Sequence, residues 1–303
     1  MPYRIRPDRP FGEEVVSVGC EQLRRAIAVL EDQPQGVHEA IHQARKKFKR
    51  VRALYRLVAL DQKEWRAAEN ARLRDTARAL SVVRDATALI ETVGYLDNHA
   101  LNDDERNALS EARSTLTARR DALALAEADL PQKVDAAITA CRQAMISLED
   151  ASFPNSPRKA AKLLKRGWKK GLSGGQAALK ACRQCAHEEV FHDLRKAAQT
   201  YWMNLSLLRE IWPSAMRAQR AEAKRLVDTL GHEHDLSLLA ELLDRESGLV
   251  GGGEAFSHLL GAIIRQQQDL RRTALELAQD IFAEPPARES AIIETLWLSA
   301  ATE

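Results

Sequence analysis

Long apolar runs are missing from this chain. No stretch of about 20 apolar residues exists to span a bilayer, and the opening "MPYRIRPDRPFG" has no apolar core of the signal-peptide kind. A cytoplasmic protein without membrane insertion is therefore expected. Aromatics make up 5% of the 303 residues, with 14 Gly and 10 Pro. That scarcity argues against sheet, while abundant Ala, Leu, Arg and Glu favour helix, so the expected fold class is all-α. Four cysteines, Cys20, Cys141, Cys182 and Cys185, are too few for a disulfide framework at this length and point to free thiols.

Acid is missing locally. The formal net charge is only +2, an average that predicts no strongly charged partner. Yet Ala40 to Leu60 contains no Asp or Glu, and neither does Ala151 to His187. The first window lies in "VHEAIHQARKKFKRVRALYRLVAL", Val37 to Leu60. At about 100° per residue, Ile41, Ala44, Phe48, Val51, Tyr55 and Val58 form an apolar stripe there. His42, Arg45, Lys49, Arg52 and Arg56 form a basic stripe beside it, continued by Lys46 and Arg50. Without acid in the helix, i,i+4 ion pairs cannot neutralise that stripe, and its counter-charge must come from elsewhere. In the second window, Arg158, Lys159, Lys162, Lys165, Arg166, Lys169 and Lys170 form another basic face opposite Ala161, Leu163, Leu164, Gly167 and Trp168.

In chain order, helices are expected over Glu13 to Glu31, the basic stretch, Gln62 to Val93, Asn102 to Asp129, and from Pro131 to near Leu148. "EDASFPNSP", Glu149 to Pro157, is the best boundary. Helix resumes at Arg158 with an expected bend at Gly171 to Gly175, running on into Glu188 to Ile211. Further helices are expected over Ser214 to Arg245, Glu254 to Phe282 and Ala287 to Leu298, with a flexible loop "SGLVGGGE" between the first two.

A shift of 150 residues superposes Glu39, His42, Arg45 and Lys46 on Glu189, His192, Arg195 and Lys196. The same shift places Leu57, Leu80, Asp85, Leu89 and Glu91 on Leu207, Leu230, Asp235, Leu239 and Glu241. The expected organisation is thus two helical-bundle repeats, residues 1–150 and 151–303. Each carries H-x-x-R-K on one helix and an Asp about 40 residues later that could orient the arginine through a charge-assisted bond.

Together "VHEAIHQARKKFKRVRALYRL", "LSVVRDATALI", "KRGWKKGLSGGQAAL" and "VFHDLRKAAQTYWMNL" resemble the CHAD family, the conserved histidine α-helical domain, over nearly the whole chain. The resemblance implies two four-helix bundles related by a pseudo-twofold axis, with a basic central groove or cavity that binds inorganic polyphosphate and targets the protein to polyphosphate granules. Carried over by position, it places His42, Arg45, Lys46, Lys49, Arg52 and Arg56 on that surface, with Lys162, Lys165, Arg166 and Lys169, and with His192, Arg195 and Lys196. Asp85 and Asp235 take structural roles. The second stripe is shorter, since Gln199 and Trp202 stand where the first half has Lys49 and Arg52, so the first half is expected to dominate. His234 stands opposite Arg84, which would make that contact pH-dependent. No E-x-E of the often fused triphosphate-tunnel domain occurs, so a binding module without catalytic residues, metal or cofactor is expected.

Two other readings remain. His192-Asp193 and His234-Asp235 are HD dipeptides of the kind helical metal-dependent phosphohydrolases use, although ligands must converge for that chemistry. Nonspecific nucleic-acid binding, or weak competition by nucleic acid, fits any basic groove, but few aromatics are available to stack bases. Cys182-x-x-Cys185 with His187 supplies only three nearby ligands for zinc. His232 and His234, two apart on a helix, point different ways.

Overall fold

The computed structural model describes residues 3–246, 248–249 and 253–301. Among these are eleven helices and no strand, as the composition requires. They are α1 (Phe11–Asp32), α2 (Val37–Val58), α3 (Lys63–Ala79), α4 (Val82–Asp97), α5 (Asp103–Ala126) and α6 (Leu130–Glu149). Then come α7 (Pro157–Gln184), α8 (Glu188–Leu207), α9 (Pro213–Arg245), α10 (Glu254–Ile281) and α11 (Pro286–Ala300). The expected "SGLVGGGE" loop falls partly on Ser247 and Val250 to Gly252, which lie outside the described residues.

Local chemistry explains several boundaries. Asn102 caps α5, its Oδ1 accepting from the Glu105 amide at 2.8 Å, and three acids in the first turn face the positive end of the helix. Proline opens α6, α7, α9 and α11, where its missing N–H costs nothing.

Three apolar clusters hold the helices. In the first half, Leu23, Leu30, Ile41, Phe48, Tyr55, Leu73 and Cys141 join α1, α2, α3 and α6. A second cluster joins α7, α8, α11 and part of α9 through Leu164, Trp168, Phe191, Leu205, Leu226 and Trp297, and it recruits Leu54 and Leu57 from α2. The chain start is woven into it: Ile5 is fully buried, and its amide donates to the Leu207 carbonyl at 2.8 Å. Phe11 meets Trp297 edge-on at 5.4 Å. Glu289 of α11 is buried and accepts from Trp168 Nε1 at 2.9 Å and Tyr201 Oη at 3.0 Å, fixing α7, α8 and α11 to one another. The third cluster is shared between the halves, with Val93, Leu96, Leu109 and Leu116 from α4 and α5 against Leu236, Leu239, Leu259 and Ile263 from α9 and α10.

Two expected helices differ from those observed. The span from Gln62 to Val93 divides at Leu80 and Ser81. α3 packs into the first cluster, through Leu73, whereas α4 packs into the third, through Val93 and Leu96. The break lets the chain change cores. α9 makes the same change without breaking, with Leu226 and Leu230 in one core and Leu236 and Leu239 in another, and Gly231 between them. The helix expected to run on from Arg158 into Glu188 to Ile211 is two helices: α7 is unbroken through its glycines, from Pro157 to Gln184, and is separated from α8 at Cys185 to His187. Gly167 and Gly175 are contact points there, since an added Cβ would lie 2.0 Å from the Leu57 carbonyl oxygen or 2.5 Å from the Phe282 ring.

Candidate anion-binding site

The apolar stripe of α2 is buried in two cores, which turns its basic stripe toward α3, α7 and α8. There a cleft of about 820 Å³ opens, lined by Arg52 and Arg56 of α2, Arg66 and Arg74 of α3, Lys170 of α7 and Lys196 of α8. Arg52 and Arg74 also line an adjoining hollow with Arg45, Lys49 and Arg78. On the other side, Arg66 and Lys170 are shared with a hollow holding Lys63, Lys169 and Arg166, and Arg166 is shared with a further one holding Lys159 and Lys162. The four hollows form one track along α2, α3 and α7. Among its lining residues the acidic side chains are Asp61, Asp85 and Asp193.

The cations where the central cleft meets the hollow beside it are held under electrostatic stress. Lys49 forms no ion pair among the described residues, and burial, with Arg195 and Arg45 nearby, pushes its ammonium down to about 8. Arg52 is lowered to about 10 by burial and by Arg56 and Arg74, and its Nε is buried without a hydrogen-bond partner. A polyanion would relieve both groups. Arg56 donates to Thr200 Oγ1 at 3.1 Å across the cleft.

The remaining sequence-derived candidates divide. Arg45 donates to Asp85 at 3.2 Å, the charge-assisted bond foreseen from the 40-residue spacing. Arg195 and Asp235 interact electrostatically in the corresponding place, where burial lowers Arg195 and raises Asp235. His42 Nδ1 accepts from Arg84 Nε at 3.1 Å, and burial next to Arg84 lowers its pKa. His192 stacks on His234 with ring centroids 4.7 Å apart, and burial lowers it as well. The pH-dependent contact expected at His234 is not found: burial, then Arg195 and His192, push that imidazole down to about 3, so it stays neutral at ordinary pH. Lys46 is exposed at the flank of α2 and Lys196 pairs with Asp193 at 2.9 Å. Lys162, Arg166 and Lys169 reach the outer track, with Arg166 bonded to Asp61 at 3.0 Å. Lys165 is turned away and pairs with Glu294 of α11 at 2.6 Å.

Arg66, Arg74 and Arg78 were not assigned from sequence. They line the track opposite α2, but α3 also carries Glu64, Glu69 and Asp75, so no acid-free window marks it. The other chemistries find less support. Among the described residues no group of three His, Cys, Asp or Glu could hold a metal ion. Cys182 is buried, with Sγ against the Val190 carbonyl, while Cys185 is exposed. His232 stacks on Tyr95 at 4.2 Å, away from His234. Trp168 and Tyr201 are core residues.

Fold and site together define a helical protein with a groove lined by arginines and lysines. The CHAD domain model matches residues 21–244, and the chain belongs to the CHAD family. Among solved structures it is similar to PptA from Streptomyces chartreusis, with a TM-score of 0.62 and 16% identity over 91% of this chain and 100% of that one, a likeness of fold. No curated protein matches the chain. No helix among the described residues is long and apolar enough to cross a membrane.

Proposed function

We propose that this protein binds inorganic polyphosphate without hydrolysing it, through the track centred on Lys49, Arg52 and Arg56. The observation that carries the reading is the set of partly desolvated cations, Lys49, Arg52 and Arg56, that make no ion pair among the described residues where α2 approaches α8. Membership of the CHAD family supports the same anion. Arginines of α2 and α3 give directional contacts to phosphate oxygens, and lysines of α7 give point charge. Binding of this kind displaces counterions and weakens with salt. Recruitment to intracellular polyphosphate granules is the cellular consequence of this reading.

The test is a calorimetric titration with long-chain polyphosphate at two salt concentrations, beside DNA at equal phosphate and an assay for released phosphate. Tight, salt-sensitive binding without release is expected, and Arg45→Ala combined with Lys49→Ala should weaken it about tenfold or more while the far-ultraviolet dichroism stays helical. Phosphate release on adding a divalent metal would replace this reading with the phosphohydrolase one. Equal affinity for DNA would reduce it to nonspecific cation binding.

A further inference from the structure

One lysine stands among arginines in the hollow beside the central cleft. The hollow encloses about 280 Å³, and its lining includes Arg45, Lys49 and Arg52 of α2, Arg74 and Arg78 of α3, and Asp85 of α4. Lys49 is half-buried, but its Nζ forms no hydrogen bond or ion pair among the described residues and is not sealed from solvent, so it opens into the hollow. The charged and titratable groups around it are Arg45 and Arg52 on its own helix, Arg195 of α8, and Asp235 and His234 of α9, with Arg74, Arg78 and Asp85 across the hollow. Arginine outnumbers carboxylate in that shell. Burial first, then Arg195 and Arg45, hold the ammonium down to about 8. At pH 7 about a tenth of Lys49 is then free amine, against less than about a thousandth of an ordinary lysine.

A desolvated amine crowded by cations is the usual form of a nucleophilic lysine. The arginines that crowd it also attract the phosphate end of a small electrophile, and guanidinium forks hold such a group by paired hydrogen bonds. We propose that Lys49 is a modification site for acyl phosphates, with the phosphate on Arg52, Arg74 and Arg78 and the acyl group delivered to Nζ. The free amine attacks the acyl carbon, a C–N bond forms, and the C–O bond to the phosphate breaks. Orthophosphate leaves carrying the proton that the nitrogen gives up, so no oxidant, reductant or cofactor enters. The product is an amide without charge. Position 199, which corresponds to Lys49 after the 150-residue shift, already carries an uncharged carboxamide, Gln199. The modification removes a central cation from the track and loosens its hold on polyphosphate. Long-chain polyphosphate, by contrast, covers the hollow and returns Lys49 to its charged form, so it shields the amine. The inference rests on the reading of the track as a phosphate site and adds to it a means of regulation.

The experiment incubates the full chain at pH 8 with acetyl phosphate and, separately, with N-acetoxysuccinimide, an acyl donor without phosphate, and follows each lysine by peptide mass spectrometry. Lys180 of α7, exposed and outside the hollows of the track, is the reference. Acetyl phosphate is expected to modify Lys49 about tenfold faster than Lys180, or more, and the neutral donor to show a much smaller preference. Arg78 is exposed and makes no ion pair among the described residues. Arg78→Ala should therefore leave the fold and the neutral-donor rate at Lys49 intact while lowering the acetyl phosphate rate about threefold or more. Saturating long-chain polyphosphate should protect Lys49, and chain acetylated there should bind polyphosphate about threefold more weakly, or worse, in the calorimeter. No preference for Lys49 over Lys180, the same preference with both donors, or an acetyl phosphate rate indifferent to Arg78→Ala overturns the inference, while binding of polyphosphate by the unmodified chain keeps the polyanion reading. An acetylated chain that binds polyphosphate as before overturns the regulation. Modification of Lys49 in a chain that does not bind polyphosphate overturns the polyanion reading and leaves the modification site standing.

Discussion

At Lys49 the ammonium is held between Arg45 and Arg195 with most of its surroundings protein, and the shift from the ordinary lysine value to about 8 measures what that costs. At about 1.4 kcal/mol per unit, charging it in the free protein costs on the order of 3–4 kcal/mol. Because the folded value lies below the unfolded one, the penalty is complete below pH 8 and disappears as the pH rises toward the unfolded lysine value. The residue at the corresponding place in the second half is Gln199. Lys49→Gln is therefore expected to raise the melting temperature of the free protein by several degrees at pH 7, with the gain over wild type shrinking as the pH rises above 8, and to weaken polyphosphate binding. Thermal unfolding across that pH range, with a parallel titration, measures both. A lower melting temperature in the variant would show that Lys49 is already neutralised within the fold.

Among the elements, α7 shows how packing uses residues that look like helix breakers. Gly167 allows α7 to approach the backbone of α2 at Leu57, whereas Gly174 faces open cleft. Gly167→Ala would drive its methyl into the Leu57 carbonyl, contact that neither backbone can relieve cheaply, and is expected to destabilise by about 3 kcal/mol or more. Gly174→Ala should stabilise by up to about 1 kcal/mol through helix propensity. Denaturant unfolding of the pair tests this, and equal effects would disprove the assigned contact. The sequence placed Gly167 on the apolar face of the helix and Gly174 in the expected bend, but not the backbone contact at Leu57 or the open cleft. α2 was legible because one period specified both of its faces. The division of α3 from α4 was not, since "RALSVVRD" contains neither Gly nor Pro and the break answers to a change of core. The same limit explains the site. Arg45 and Asp85 could be paired from spacing and repetition, but only packing shows that Arg74 faces the cleft and that Lys165 turns to Glu294.

For the molecule as a whole, the near-neutral net charge hides a directional one. The track passes from Arg45 beside Asp85, through the central cleft, past Arg166 and its exposed partner Asp61, to Lys159 and Lys162. From Lys159 to Lys170 along α7 is roughly 16 Å at 1.5 Å per residue, so a short ligand seated in the cleft leaves the outer lysines unused. The Arg166–Asp61 pair is a solvated surface ion pair, which a passing phosphate displaces at little cost. Affinity per ligand molecule should accordingly rise from tripolyphosphate to long-chain polyphosphate by more than the statistical gain of a longer chain. Lys159 and Lys162 are exposed and make no ion pair among the described residues, so replacing both by Ala leaves the cores intact. The double variant is expected to bind tripolyphosphate as wild type does and to lose part of the long-chain advantage. Its log–log salt slope for the long chain should fall by roughly 0.7 per lysine removed, as for a single-stranded polyanion. If the double variant weakens both ligands equally, or neither, the outer hollows are not part of the path and binding is confined to the cleft.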